Sequence, residues 1–149
     1  MLRTYIDGSS IYKLKMFGWA CVIVDDDDKV VRVEYGYSDD KRYAQSHNVA
    51  GELIASMKAI DYAISKGEDM IKIFYDYHGI EFWATGEWKN RQGKPIVTDY
   101  IAFIKDRSKK IKISFQKVIA HTGIRHNELA DQLCRGAIQN RVCGYKDFE

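Results

Sequence analysis

Residues 117–134 read KVIAHTGIRHNELADQLC. An apolar run, Val118-Ile119-Ala120, ends in His121. Gly123 follows, then His126, Asn127 and a helix-like run that contains Asp131. A strand pattern that gives way to a glycine-punctuated loop and then to helical periodicity is an α/β unit. The strand is expected over 111–120 and the helix over 127–140, with Asn127 as its N-cap.

The rest of the chain supplies a sheet for that unit to join. Residues 2–7, 17–24 and 30–37 are rich in Val, Ile and aromatics and read as three successive strands. Asp25-Asp26-Asp27-Asp28 links the second to the third. Four acids in a row raise the question of a metal site, but nothing nearby gathers further ligands. A solvated hairpin turn, aimed away from any phosphate, is the stronger reading. From 48 to 66, Val49, Leu53, Met57, Ile60 and Ile64 recur at helical spacing, and Gly67 stops the helix. Residues 70–77 read as a central strand, 79–88 as a short helix and loop, and about 98–109 as another helix. Three strands in succession, then alternating helices and strands, predict an α/β (mixed α+β) fold: a mixed five-stranded sheet flanked by helices.

Composition narrows the function. A chain of 149 residues fits one domain, taken here as 1–149. The net charge of +2 means that bulk charge indicates no nucleic-acid binding, so any basic footprint must be local. Cys21, Cys134 and Cys143 form no CxxC pair, and the first two sit in apolar patterns, which suits a reducing compartment. The chain opens directly into a strand pattern, and no apolar run reaches transmembrane length. The expectation is a cytoplasmic protein with no membrane association.

Four carboxylates fall where such a fold brings chemistry together. Asp7 ends the first strand before Gly8, and Asp76 ends the central strand. Ligands of open α/β sheets collect beyond strand ends. Glu52 lies in the first turns of its helix beside Val49, Ser56, Ala59 and Ala63, and this mostly small-residue side can press on the sheet and carry the acid toward it. Asp131 stands near the start of a helix whose core stripe is Leu129, Leu133 and Ala137. Each acid alone has an ordinary explanation, as a turn former or as an acid near a helix N-terminus. Together they would repel one another unless protons or hard cations compensate. Mg²⁺ takes oxygen ligands, keeps several waters and binds along with substrate phosphates. Two such ions ~4 Å apart stabilise both the attacking and the leaving oxygen of phosphodiester hydrolysis.

In order and separation, YIDGS (5–9), NVAGELIA (48–55), FYD (74–76) and HTGIRHNELAD (121–131) resemble type 1 ribonuclease H along nearly the whole chain. The resemblance implies a ribonuclease H-like fold, hydrolysis of the RNA strand of RNA/DNA hybrids, and two catalytic metal ions, Mg²⁺ with Mn²⁺ as a substitute. It implies metal ligation by Asp7, Glu52, Asp76 and Asp131, and a loop histidine, His121, that assists proton transfer or product release. It also implies that Gly8, Ser9 and Glu52 meet ribose hydroxyls and that Asn48 contacts bases and sugars. On the DNA strand it implies an aromatic and basic element, matched here by Trp88 and Lys89 with Arg91 and Lys94. His78 and Asn127 complete the expected substrate contacts. Asn48 has a second reading, as the N-cap of the Glu52 helix, and Trp83 reads as core.

This sequence departs from the family pattern in three places. GEWKNRQGKP (86–95) is shorter than the full basic helix of some members. Tyr77 and His78 follow Asp76 where small or amide residues are common. His47 stands where some members have a phosphate-holding threonine. A monomer without an obligate protein partner is expected. Two other classes are weighed: a catalytically weak hybrid-binding protein, and a DNA-directed nuclease or transposase relative. The complete acid set and His121 argue against the first, and the HTGxxxNExAD pattern against the second.

The role of His121 is directly testable. A proton-transfer group is typically worth ~10² to 10⁴ in rate. His121→Ala should lower kcat on a defined hybrid by a factor in that range with KM nearly unchanged, and should lose less than Asp7→Asn does. A rise in KM at constant kcat would make His121 a substrate-holding residue instead.

Overall fold

The computed structural model describes residues 1–119 and 125–148. At its centre, strand β1 (Leu2–Ile11) pairs antiparallel with β2 (Met16–Val24) on one side and parallel with β4 (Met70–Tyr75) on the other. β3 (Val30–Ser38) extends the antiparallel side, and β5 (Lys112–Lys117) lies parallel to β4 on the far edge. A last strand, β6 (Gly144–Asp147), adds antiparallel to β3, so the sheet runs β5-β4-β1-β2-β3-β6. The mixed sheet is as expected, but it has six strands among the described residues, not five.

Strand alternation sorts the side chains into two cores. From β1 and β2, Leu2, Ile6, Phe17, Trp19, Cys21 and Ile23 enter the larger core, under α2 (Asn48–Ser65) and α4 (Pro95–Arg107). Tyr5, Val22 and Val24 enter the smaller core on the opposite face, under α5 (Arg125–Asn140). With both faces covered, every residue of β2 is buried. α3 (Gly79–Thr85) joins the larger side, where buried Tyr100 of α4 donates its hydroxyl to the carbonyl of Ile80 at 2.6 Å.

The approach of α2 to the sheet is close enough to exclude side chains. A Cβ on Gly51 would sit 2.0 Å from the carbonyl oxygen of Gly18 and 2.9 Å from Cα of Gly8. A Cβ on Gly8 would sit 2.1 Å from the carbonyl oxygen of Asn48. Backbone therefore meets backbone at the first turns of α2, as only glycine permits.

Several boundaries differ from those read in the sequence, each for a physical reason. β1 continues to Ile11 because β2 offers it a partner along its whole length. Asp76 lies one residue beyond β4 because β5 pairs only as far as Tyr75↔Lys117. α4 starts at Pro95, a residue suited to a first helical turn where no donor is needed. α5 already includes Arg125, so Asn127 is a residue within the helix and not its cap. His47, not Asn48, is the N-cap of α2, and it makes no side-chain capping bond. A short helix, α1 (Lys41–Ala44), is capped by Asp40, whose carboxylate accepts from the backbone N–H of Arg42 at 2.9 Å. Trp83 is half-buried: it packs against the larger core but also faces Tyr77 and Trp88. His121 and its neighbours 120–124 lie outside the described residues.

A cation reinforces the pairing of β6 with β3. Arg32 of β3 lies over the rings of Tyr62 (4.8 Å) and Tyr145 (4.1 Å) and pairs with Glu34 and Asp147, each at 2.9 Å.

Two glycine substitutions should move stability in opposite directions. Gly51→Ala gains helix propensity but drives a methyl group into the backbone of β2, and should destabilise by about 1–3 kcal/mol. Gly136→Ala lies in α5 with nothing within 4 Å of the new Cβ, and should stabilise by about 0.5–1 kcal/mol. Urea unfolding of the two variants checks both signs. An unchanged midpoint for Gly51→Ala would mean that α2 is free to move off the sheet.

Candidate active site

β1 and β4 are paired only from Leu2↔Ile71 to Tyr5↔Phe74, and beyond that the two strands part. β1 also changes neighbour type here, parallel on one side and antiparallel on the other, which is where α/β sheets open a crevice. Asp7 of β1 and Asp76 just after β4 lie on either side of this opening. Glu52 enters from the α2 face, carried inward by the glycine contact, and is only 5% exposed. Asp131 enters from the α5 face. Its carboxylate, that of Asp7 and the thiol of Cys134 lie within 4.8 Å of one another.

The acids influence one another electrostatically. Burial first, and then the Asp7 and Asp76 charges, raise Glu52 from 4.5 to about 8. Burial also raises Asp7, from 3.8 to about 6, with further contributions from Asp131 and Asp76. The backbone N–H of Gly8, donating to Asp7 Oδ1 at 2.8 Å, opposes that rise and orients the carboxylate. Each outer acid has a cation beside it: Lys117 Nζ lies 3.5 Å from Asp76, and Arg135 pairs with Asp131 one helical turn away. The inner pair, Glu52 and Asp7, has no such partner among the described residues.

These are hard oxygen donors, crowded enough to disfavour their own ionisation, and they suit a hard divalent cation. Asp7, Glu52, Asp76 and Asp131 fit that role. Cys134 is a member of the cluster that the sequence reading left out. Its i+3 spacing from Asp131 was the available signal, since that places it on the same helix face. Burial and the charges of Asp7 and Asp131 keep its thiol protonated, so it contributes bulk rather than charge. The cations Lys117 and Arg135 were also missed. Arg135 carried an i+4 signal, whereas Lys117 depends on strand register alone.

Beside the acids lies a cavity of about 410 Å³ between Tyr77, Trp83 and Trp88 and the loop of Lys89, Arg91 and Lys94. Tyr77 links it to the acids: it follows Asp76, and its phenol is raised by burial and by the Glu52 charge. Trp88 packs edge-on against Tyr77 (6.0 Å) and Phe82 (5.5 Å) and keeps 38% of its surface exposed. Asn90 closes the loop by bonding both the N–H and the C=O of Lys94 at 3.0 Å. The shortened basic element is thus an ordered loop. His78 is exposed and stacks on Phe82 (5.1 Å), and Asn48 is exposed on the first turn of α2. Gly8 and Ser9 lie in β1 beyond Asp7, and Asn127 is half-buried in α5. The site therefore gathers the four acids, with the Trp88–Lys89 element to one side, while His121 lies outside the described residues.

Comparison with known proteins places the chain in a family. A protein named ribonuclease H from Cyanothece sp. (strain PCC 7425 / ATCC 29141) is 25% identical over 147 residues, covering 93% of this chain and 90% of that protein. RNase H1 from the halophilic archaeon Halobacterium salinarum NRC-1 superposes with a TM-score of 0.76 at 22% identity, covering 93% of this chain and 98% of the other. LC11-RNase H1, solved in complex with an RNA/DNA hybrid, superposes with a TM-score of 0.76 at 18% identity, covering 94% and 98%. These two likenesses are of fold. The RNase H family model matches residues 1–139, from the strand that carries Asp7 to the helix that carries Asp131, and on that match the chain belongs to the RNase H family of enzymes.

Proposed function

We propose that this chain is an endonuclease that hydrolyses the RNA strand of RNA/DNA hybrids with two divalent metal ions held by Asp7, Glu52, Asp76 and Asp131. The observation that carries the reading is the meeting of these four acids at the opening between β1 and β4, with Glu52 and Asp7 pushed toward neutrality until a cation compensates them. The hybrid in the LC11-RNase H1 complex supports the choice of substrate. Bound metal ions, Mg²⁺ or Mn²⁺ as a substitute, would lower the pKa of a water and neutralise charge at the scissile phosphate.

The chain's own residues divide the remaining work. The Gly8 N–H and the Arg135 and Lys117 cations fix the carboxylates of Asp7, Asp131 and Asp76 in the orientations described above. Glu52, whose burial favours its neutral form, would ionise to help hold a cation. His121 carries a proton to or from the reacting phosphate. Gly8, Ser9, Asn48 and Asn127 face the RNA strand and distinguish ribose by its 2′-hydroxyl. Trp88 and Tyr77 offer apolar faces to the DNA strand, with Lys89, Arg91 and Lys94 set for its phosphates and His78 alongside. On this reading residues 1–149 act as one catalytic domain, as a monomer, in the cytoplasm. No helix among the described residues is long and apolar enough to cross a membrane.

The deciding experiment digests labelled hybrid, duplex RNA and duplex DNA with and without Mg²⁺. Mg²⁺-dependent cuts confined to the RNA of the hybrid are expected, and cutting of duplex DNA would instead place the chain among the DNA-directed relatives. Asp7→Asn and Asp76→Asn should each abolish cleavage while metal-free stability stays level or rises, because each removes one of several repelling charges. Near-normal cleavage by either variant sinks the assignment.

The raised acids also set a pH dependence. A carboxyl whose folded pKa lies above its unfolded value keeps protons that the unfolded chain releases, so its contribution to stability is lost as pH rises. For Glu52 that window runs from about 4.5 to about 8. In EDTA the protein should lose up to about 1.4 kcal/mol per pH unit there. Glu52→Gln should flatten the fall, and Mg²⁺ should offset it. Thermal unfolding at pH 5, 6.5 and 8 provides the check, and equal slopes for the two proteins would show that Glu52 titrates normally.

A further inference from the structure

Two features of the chain take no part in the chemistry above: the four aspartates between β2 and β3, and His126, the second residue of α5. In the fold they meet. His126 is 6% exposed, and its Nε2 lies 3.2 Å from Oδ1 of Asp28. The same oxygen accepts from Arg3 Nη2, also at 3.2 Å. One carboxylate thus joins the start of β1, the β2–β3 turn and the first turn of α5. The turn is built to present it. Asp25 Oδ1 accepts from the backbone N–H groups of Asp27 (2.9 Å) and Lys29 (3.0 Å), and Arg3 also donates to the Asp25 carbonyl at 3.1 Å. Asp28 itself has φ of 62°, a left-handed conformation that Asp and Asn tolerate. The turn is the solvated hairpin expected from its four acids, with Asp28 in addition reaching His126.

The imidazole ring rests on Tyr5 at 5.2 Å, and Tyr5 stacks on Phe74 at 4.7 Å. His126 Nδ1 is buried with no hydrogen-bond partner among the described residues. Nε2 is thus the polar atom through which the buried ring is held. Elsewhere α5 grips the sheet through Leu129, Ala130 and Leu133, and such apolar contacts tolerate small slides and rotations of a helix. A polar contact made by a buried ring tolerates them less, because breaking it strands Nε2 of His126, although Asp28, 59% exposed, stays in water. His126 precedes Asp131 by five residues, about 7.5 Å along the helix.

We propose that His126 and Asp28 are a positioning pair for the catalytic centre: their contact sets the rotation and axial placement of α5 and so holds Asp131 against Asp7. The inference rests on the reading of Asp131 as a metal-holding acid.

The test uses the full chain with two variants. His126→Phe keeps a ring against Tyr5 and removes Nε2. Asp28→Gly keeps the left-handed backbone conformation and removes the carboxylate, so the contact is broken from either side. Amide hydrogen exchange is followed in metal-free protein, and steady-state cleavage of a defined hybrid is measured in Mg²⁺. The amides of 127–131 should exchange at least about tenfold faster relative to those of β2. In the same variants kcat should fall about tenfold to a hundredfold, with KM within about twofold, since a small misplacement of a catalytic group is enough. The double substitution should be no worse than His126→Phe alone. Unchanged exchange at 127–131 overturns the proposal. Faster exchange with unchanged kcat also overturns it, leaving a purely structural contact. Failure of the ribonuclease reading would show separately, as absence of cleavage by the unaltered protein. Exchange and the double substitution would then still decide whether the pair anchors α5.

Discussion

Where α2 crosses β1 and β2, main chain lies against main chain. A single methyl group on Gly51 would fall 2.0 Å from the Gly18 carbonyl oxygen, and one on Gly8 would fall 2.1 Å from that of Asn48. This contact brings the first turns of α2 deep enough for Glu52 to be almost wholly enclosed while still next to Asp7. A side chain at either glycine would lift the helix and leave Glu52 in water, where a carboxylate ionises normally and feels its neighbours weakly. The raised pKa of Glu52 and the buried charge that a cation must compensate therefore follow from two absent Cβ atoms.

Much of this was legible in the sequence, because local rules and the final fold agree there. Strand alternation gave β1 to β3, and the helical stripe around Leu53 and Ile60 gave α2. Asp76 stands at the end of β4, as read, whereas Asp7 lies inside β1, just past the point where that strand loses its parallel partner. The small residues beside Glu52 indicated that this acid faced inward. Other features were hidden because they depend on partners distant in sequence. β6 is four residues, two of them charged, and only its pairing with β3 and the stacking of Tyr145 on Arg32 make it a strand. Gly51 reads locally as a weak point in a helix, and its use as a contact surface appears only once Gly8 and Gly18 lie opposite. His126 and Asp28 are far apart in the chain, and no spacing rule connects them.

The substrate side of the site shows the same division. Trp88, Lys89 and Lys94 were legible as an aromatic and basic element, but its ordering by the Asn90 side chain was not. Here the chain has a compact loop, with Trp88 packed on Phe82 and Trp83. Its grip on a DNA strand would then owe more to aromatic surface and less to accumulated charge, in keeping with a nearly neutral protein.

The opening between β1 and β4 has a consequence for how the molecule comes into being. Its acids come from the first strand, the second helix, the end of the fourth strand and the last helix. Only α2 and β4 are consecutive in sequence, and the parallel pairing of β1 with β4 closes a long loop, a slow step in folding. A chain emerging from the ribosome would hold Asp7, Glu52 and Asp76 well before α5 delivered Asp131. On the proposed reading the acid set is thus completed last, and the chain would stay inert until its fold was nearly finished.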